Sequence, residues 1–124
     1  MIIGRANDRV KWMFEHTVAA QEAAFAAIRP GATCADVDGA VMRYFEQHDL
    51  MPYWRQHVGH AIGLRNHEAP FLDTGDHTRV EEGMVFTIEP GVYSRELGGF
   101  RHSDTVVVTA DGIEILTDYP RDLA

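Results

Sequence analysis

The feature that most limits the fold of this chain is a change of period near residue 50. Before it, the spacing Val10, Phe14, Val18, Gln21, Phe25, Ile28 and then Val37, Val41, Tyr44, Phe45 returns every three or four positions. That interval lines one face of a helix. After it, short β-branched runs take over, with Val106-Val107-Val108 at the centre of the strongest. Such side chains suit the pleated surface of a sheet. Two helices followed by several strands make an α+β chain. The punctuation agrees. Asn7 or Asp8 can cap a first helix that runs to about Arg29, where Pro30-Gly31 stops it. Thr33-x-x-Asp36 resembles a capping box, with Asp for the usual Glu, and predicts a second helix to about His48. Residues 49–55, broken by Pro52, form a connection in which Tyr53 and Trp54 serve packing or an interface. A strand is expected over 84–89 and another over 101–109, which Ala110-Asp111-Gly112 turns into a hairpin with 113–116.

Charge narrows the partners. The formal net charge is −8, and both nucleic acid and anionic membrane reward a basic surface, so neither is expected as a partner. No apolar run approaches the roughly 20 residues that span a bilayer. Met1-Ile2-Ile3 is too short for the apolar core of a signal peptide. The one cysteine, Cys34, cannot form an internal disulfide, which makes the cytoplasm the expected compartment. A small, buried, apolar role suits it. At 124 residues the chain is expected to form one domain, 1–124, with a core of its own.

The chemistry concentrates in residues 56–70, QHVGHAIGLRNHEAP. Here His57, His60 and His67 lie with Glu68 among Val58, Ile62 and Leu64. Imidazoles and carboxylates gathered from separate stretches serve metal sites and general acid/base sites. His57 and His60, three apart, would share a face of a helix but not of an extended strand. With two glycines and alternating apolar residues, the stretch reads as strand and turn. A metal site and polar histidines lining a loop both stay open on this evidence. His16 and His48 fall on the predicted helices, and His77 falls in a loop over 69–82.

Three landmarks in order resemble the pita-bread metallopeptidase family of Xaa-Pro aminopeptidases and dipeptidases, methionine aminopeptidases and creatinase. They are Gly59-His60-Ala61-Ile62-Gly63-Leu64 with His67-Glu68, then Met84-Val85-Phe86-Thr87-Ile88-Glu89-Pro90-Gly91, then Gly99-Phe100-Arg101-His102-Ser103-Asp104-Thr105. The similarity extends over nearly the whole chain. It implies the C-terminal half of a pita-bread fold, two helices packed on a mainly antiparallel curved sheet.

The resemblance also implies roles. The family holds two divalent ions with two Asp, one His and two Glu, and two close cations activate a shared water. His60 matches the His ligand and Glu89 the first Glu ligand. His67 matches a histidine that faces the substrate, and Arg101 an arginine beside the site. A second substrate-facing histidine of the Xaa-Pro branch falls on Gln56, with His57 one position away. Glu68 is expected to orient His67 or to cap a turn. The last Glu ligand falls on Ser103, whose hydroxyl cannot replace a bridging carboxylate. Asp104 is adjacent, and strand alternation sends it to the other face. No pair of Asp-bearing strands precedes Asp8 in this sequence.

Two of five ligands make tight binding of Mn²⁺, Co²⁺ or Zn²⁺ by this chain alone unexpected, since a stable zinc site needs about four. Three readings follow. The first is an Xaa-Pro peptidase-like metallohydrolase represented by an incomplete catalytic domain, inactive alone. The second is a creatinase-like, metal-independent hydrolase or lyase of a small C–N substrate. The third is a non-enzymatic dimerisation or binding module. In each, a half pita-bread with open edges is expected to form a homodimer.

Overall fold

The computed structural model describes residues 5–123, so Met1-Ile2-Ile3 lies outside the described residues. Helix α1 spans Asp8–Ala27, with Asn7 as its cap: the Asn7 side chain accepts from the Val10 N–H. Helix α2 spans Cys34–Gln47 and opens with the full capping box, Thr33 accepting from Asp36 N–H and the Asp36 carboxylate from Thr33 N–H. A cap of this kind is worth about 1 kcal/mol. One 3₁₀ turn, Met51–Tyr53, leads on to seven strands: β1 Gly59–Ala61, β2 Glu68–Leu72, β3 Val85–Ile88, β4 Gly91–Ser94, β5 Gly98–Arg101, β6 Asp104–Thr109 and β7 Gly112–Ile115. Five of them form an antiparallel sheet in the order β2-β1-β3-β6-β7, and β4 pairs with β5 as a separate ribbon.

That ribbon continues the sheet in disguise. Ile88 pairs with Asp104 at the end of β3–β6, and Gly91 pairs with Arg101 at the start of β4–β5. The register is therefore that of a single long hairpin, interrupted only where Glu89-Pro90 faces His102-Ser103. Pro90 has no N–H to give a ladder, and a gap follows. The single strand expected over 101–109 is split: the chain leaves the ladder at His102-Ser103 and rejoins it at Asp104. The loop expected over 69–82 is shorter too, because 69–72 belong to β2.

The helices cover the sheet through a core that includes Met13, Ala20, Ala24, Ile28, Val37, Val41, Phe45, Phe86, Ile88, Val106 and Val108. On α2 the expected stripe holds for Val37, Val41 and Phe45, while Tyr44 is only half-buried. On α1 it holds only for Gln21 and Ile28. Val10, Phe14, Val18 and Phe25 are half-exposed, and the buried face is Met13, Thr17, Ala20, Gln21, Ala24 and Ile28. Small residues let α1 approach α2 and the strands closely, so the larger apolar side chains flank the contact. Cys34 is fully buried, and burial pushes its thiol up to about 11.

Candidate active site

The hairpin gap is where the polar side chains gather. Its backbone groups are met from outside the ladder. Glu89 N–H donates to the Val58 carbonyl at 2.7 Å, and Gln56 Nε2 donates to the Glu89 carbonyl at 3.1 Å. From the opposite side, Gln21 Nε2 on α1 donates to the carbonyls of Ile88 (2.9 Å) and His102 (3.3 Å). Residues 56–60 thus run alongside β3, and Gly59 makes the fit possible. A Cβ there would overlap the Thr87 carbonyl. A larger residue at 59 would push β1 off β3 and carry His60 with it.

His60 Nε2 lies 3.1 Å from Glu89 Oε1, and both side chains are nearly buried. His60 Nδ1 sits 3.0 Å from the Ala61 carbonyl, which can only accept, so Nδ1 carries a proton. On a neutral ring Nε2 then bears a lone pair facing a carboxylate oxygen, and the short contact requires a proton or a cation between them. Thr87 Oγ1 donates to the same oxygen at 3.2 Å. The other oxygen, Oε2, meets Arg101 Nη1 at 3.4 Å. The His67 ring stacks on His60 at 4.0 Å between centroids. His57 stands 6.1 Å from His60, edge to face. Gln56 Oε1 accepts from the Tyr93 hydroxyl at 3.1 Å.

The structure therefore brings together His60, Glu89, Arg101 and His67, with His57 and Gln56 around them. Ser103 is the residue across the hairpin from Glu89 and is exposed. Asp104 lies on the far face, buried against His102 (3.4 Å) and Arg121 (3.1 Å). His16, His48 and His77 stand outside this group. Thr87 and Tyr93 went unread in the sequence. A threonine in a β-branched strand and a tyrosine after Pro-Gly look like packing until their hydroxyls are placed. Gln21 did carry a signal, a polar residue in an apolar stripe, which implies a buried partner.

The donor set can be compared with the demands of a metal. A 3.1 Å separation suits two ligands held at about 2.0–2.2 Å by one ion. Among the described residues no further donor joins them. His67 lies over the His60 ring, Arg101 occupies the second oxygen of Glu89, and no group of three or more His, Cys, Asp or Glu able to hold an ion occurs among the described residues. His60 and Glu89 by themselves do not fit a complete metal centre.

Two helices on a mainly antiparallel sheet, with a histidine–glutamate pair at the break of a long hairpin, define a pita-bread fold. The chain belongs to metallopeptidase family M24, whose pattern matches residues 1–110. It is 36% identical over 123 residues to the Xaa-Pro dipeptidase of Pyrococcus furiosus, covering 99% of this chain and 35% of that protein. Among solved structures, the Xaa-Pro dipeptidase from Bacillus anthracis superposes with a TM-score of 0.95 at 33% identity, over 99% of this chain and 35% of that one. The X-Pro aminopeptidase from Thermotoga maritima gives 0.93 at 32% identity, over 97% and 34%. The chain thus spans about a third of the length of these relatives. Among the described residues, no helix is long and apolar enough to cross a membrane.

Proposed function

We propose that this chain is the His60- and Glu89-bearing part of an Xaa-Pro dipeptidase-type metallohydrolase, and that its site is completed by carboxylates from outside these 124 residues. The His60–Glu89 contact at 3.1 Å, with His67 stacked beside it, carries this reading. Divalent metal, once bound by a full ligand set, supplies an activated water and charge stabilisation. His60 and Glu89 are its ligands from this chain, and His67 and Arg101 face the peptide. Gln56 and His57 border the substrate. Two tests apply. Elemental analysis after dialysis against Mn²⁺ is expected to find well under one ion per chain, and two tightly held ions would overturn the incomplete site. Hydrolysis of an Xaa-Pro dipeptide with added Mn²⁺ is expected to stay at background for this chain alone. Co-expression with the remainder of the Pyrococcus furiosus relative is expected to give turnover that His60→Ala abolishes.

A metal-independent hydrolase or lyase of a small C–N substrate is a second reading, favoured by one observation. Glu89 is already balanced by Arg101, His60 and Thr87, and Ser103 replaces the acid that a second ion needs. A homodimer and a cytoplasmic setting belong to the same proposal. The dimer is supported by the open edges of β2 and β7 and by exposed Ile115 and Leu116, the setting by a single buried thiol. Light scattering across a dilution series tests the dimer, and a monomer at every concentration would remove it.

A further inference from the structure

On the seam between α1 and α2, away from the hairpin gap, His16, Tyr44 and His48 meet. His16 Nδ1 lies 2.7 Å from the Tyr44 hydroxyl, and His48 Nδ1 lies 2.8 Å from the Tyr44 carbonyl. The two imidazole centroids are 4.8 Å apart, the Tyr44 ring stacks on His48 at 4.2 Å, and Trp12 closes on His16 at 4.6 Å. A carbonyl only accepts, so His48 Nδ1 carries the proton and the Nε2 of the neutral ring holds a lone pair. The Tyr44 hydroxyl can accept as well as donate, so His16 can take the same tautomer. Among the described residues neither Nε2 has a protein hydrogen-bond partner, and neither is sealed from water.

This is the arrangement in which imidazoles bind metals: one ring nitrogen is fixed by a protein acceptor, which orients the other. Two rings sharing one tetrahedral ion at about 2.0–2.1 Å place their centroids on the order of 5 Å apart. We propose that His16 and His48 form a weak two-imidazole site on the α1–α2 seam for one borderline divalent cation, Zn²⁺, Ni²⁺ or Cu²⁺; two protein ligands fall short of the about four of a stable zinc site, and water completes the shell. Mg²⁺ and Ca²⁺, which prefer oxygen, are excluded by the ligand type. An ion held here ties the two helices together, so its binding stabilises the fold. The site is independent of the peptidase reading, because none of its residues touches the hairpin gap.

The experiment is a Zn²⁺ titration of the His60→Gln variant, in which the other histidine cluster is disabled, followed by thermal unfolding. One ion per chain is expected to bind and to raise Tm, with Mg²⁺ inert. Adding His16→Gln or His48→Gln is expected to weaken binding about tenfold or more. A second measurement needs no variant. Cu²⁺ added to the wild-type chain is expected to broaden the NMR signals of His16, His48 and Trp12. Zn²⁺ affinity unchanged by His16→Gln and His48→Gln would overturn the proposal. So would Cu²⁺ broadening confined to His57, His60 and His67, which decides the matter alone if His60→Gln fails to fold.

Discussion

The polar clusters on the two faces of the hairpin gap share one short stretch of chain and satisfy their charges in opposite ways. Arg101 and Ser103 are exposed toward the Glu89 side, whereas His102 and Asp104 are buried toward α1. On the first side, the Glu89 carboxylate is 11% exposed and its arginine partner 49%. On the second, Asp104 is 1% exposed and is enclosed by His102, Thr117 and Arg121. Arg121 also reaches Glu22 and lies over the Phe25 ring at 4.9 Å, so the C-terminal segment is strapped across α1. One cluster keeps a solvent-facing side, through the exposed Arg101. The other is closed and holds the fold. Strand alternation alone separates a chemical face from a structural one.

Substitutions that strike the two sides separately will break or sharpen this contrast. Asp104→Ala should have the largest effect, because it leaves Arg121 and His102 without their buried acid. Losing one partner of such a pair costs about 3 kcal/mol, and urea denaturation should show it. Gln21→Leu should follow at about 2 kcal/mol, since the buried Ile88 and His102 carbonyls lose their donor. Glu89→Gln should cost clearly less than Asp104→Ala, because the amide keeps the shape and can donate to His60 Nε2. A loss for Glu89→Gln equal to that for Asp104→Ala would erase the distinction between the faces. The smallest effect lies outside both clusters and serves as their control. Hydrogen bonds from Thr33 hold the Asp36 carboxyl below its ordinary 3.8, and those from Thr78 and Phe71 do the same for Asp76. A carboxyl lowered in the folded state contributes stability above its unfolded pKa and loses it as pH falls through the folded one. Stability should therefore decline as pH drops below about 3.8, and Asp36→Asn should flatten part of that slope. Asp38 runs the other way. Burial raises its pKa, so its ionisation opposes folding as pH climbs past that same value.

Much of this architecture was legible before any coordinates. The capping box at Thr33, the stop at Pro30-Gly31 and the turn at Asp111-Gly112 are local signals, and each fell within a residue or two of its place. Most of the buried face of α1 was not legible. Periodicity counts bulky apolar residues, whereas close packing selected Ala20, Ala24 and Thr17. The break at His102-Ser103 was hidden for a related reason. Nothing in those two residues forbids a strand; Pro90, across the gap, does, and cross-strand partners are not visible along the chain. His60 and Glu89 were found through resemblance. Their supports, Thr87, Tyr93 and Gln21, depend on contacts between segments far apart in sequence.

The register that passes unchanged through the gap has a consequence for insertions and deletions. Sidedness at Arg101 and Ser103 is set by the Gly91–Arg101 and Ile88–Asp104 pairs, not by the length of the turn that joins β4 to β5. Residues added at 95–97 should therefore leave both polar faces intact. One residue added to either arm, between 89 and 94 or between 98 and 103, would turn the following side chains over. It would carry Arg101 away from Glu89, or drive His102 out of its enclosure. Length variation should accumulate at the tip and be purged from the arms.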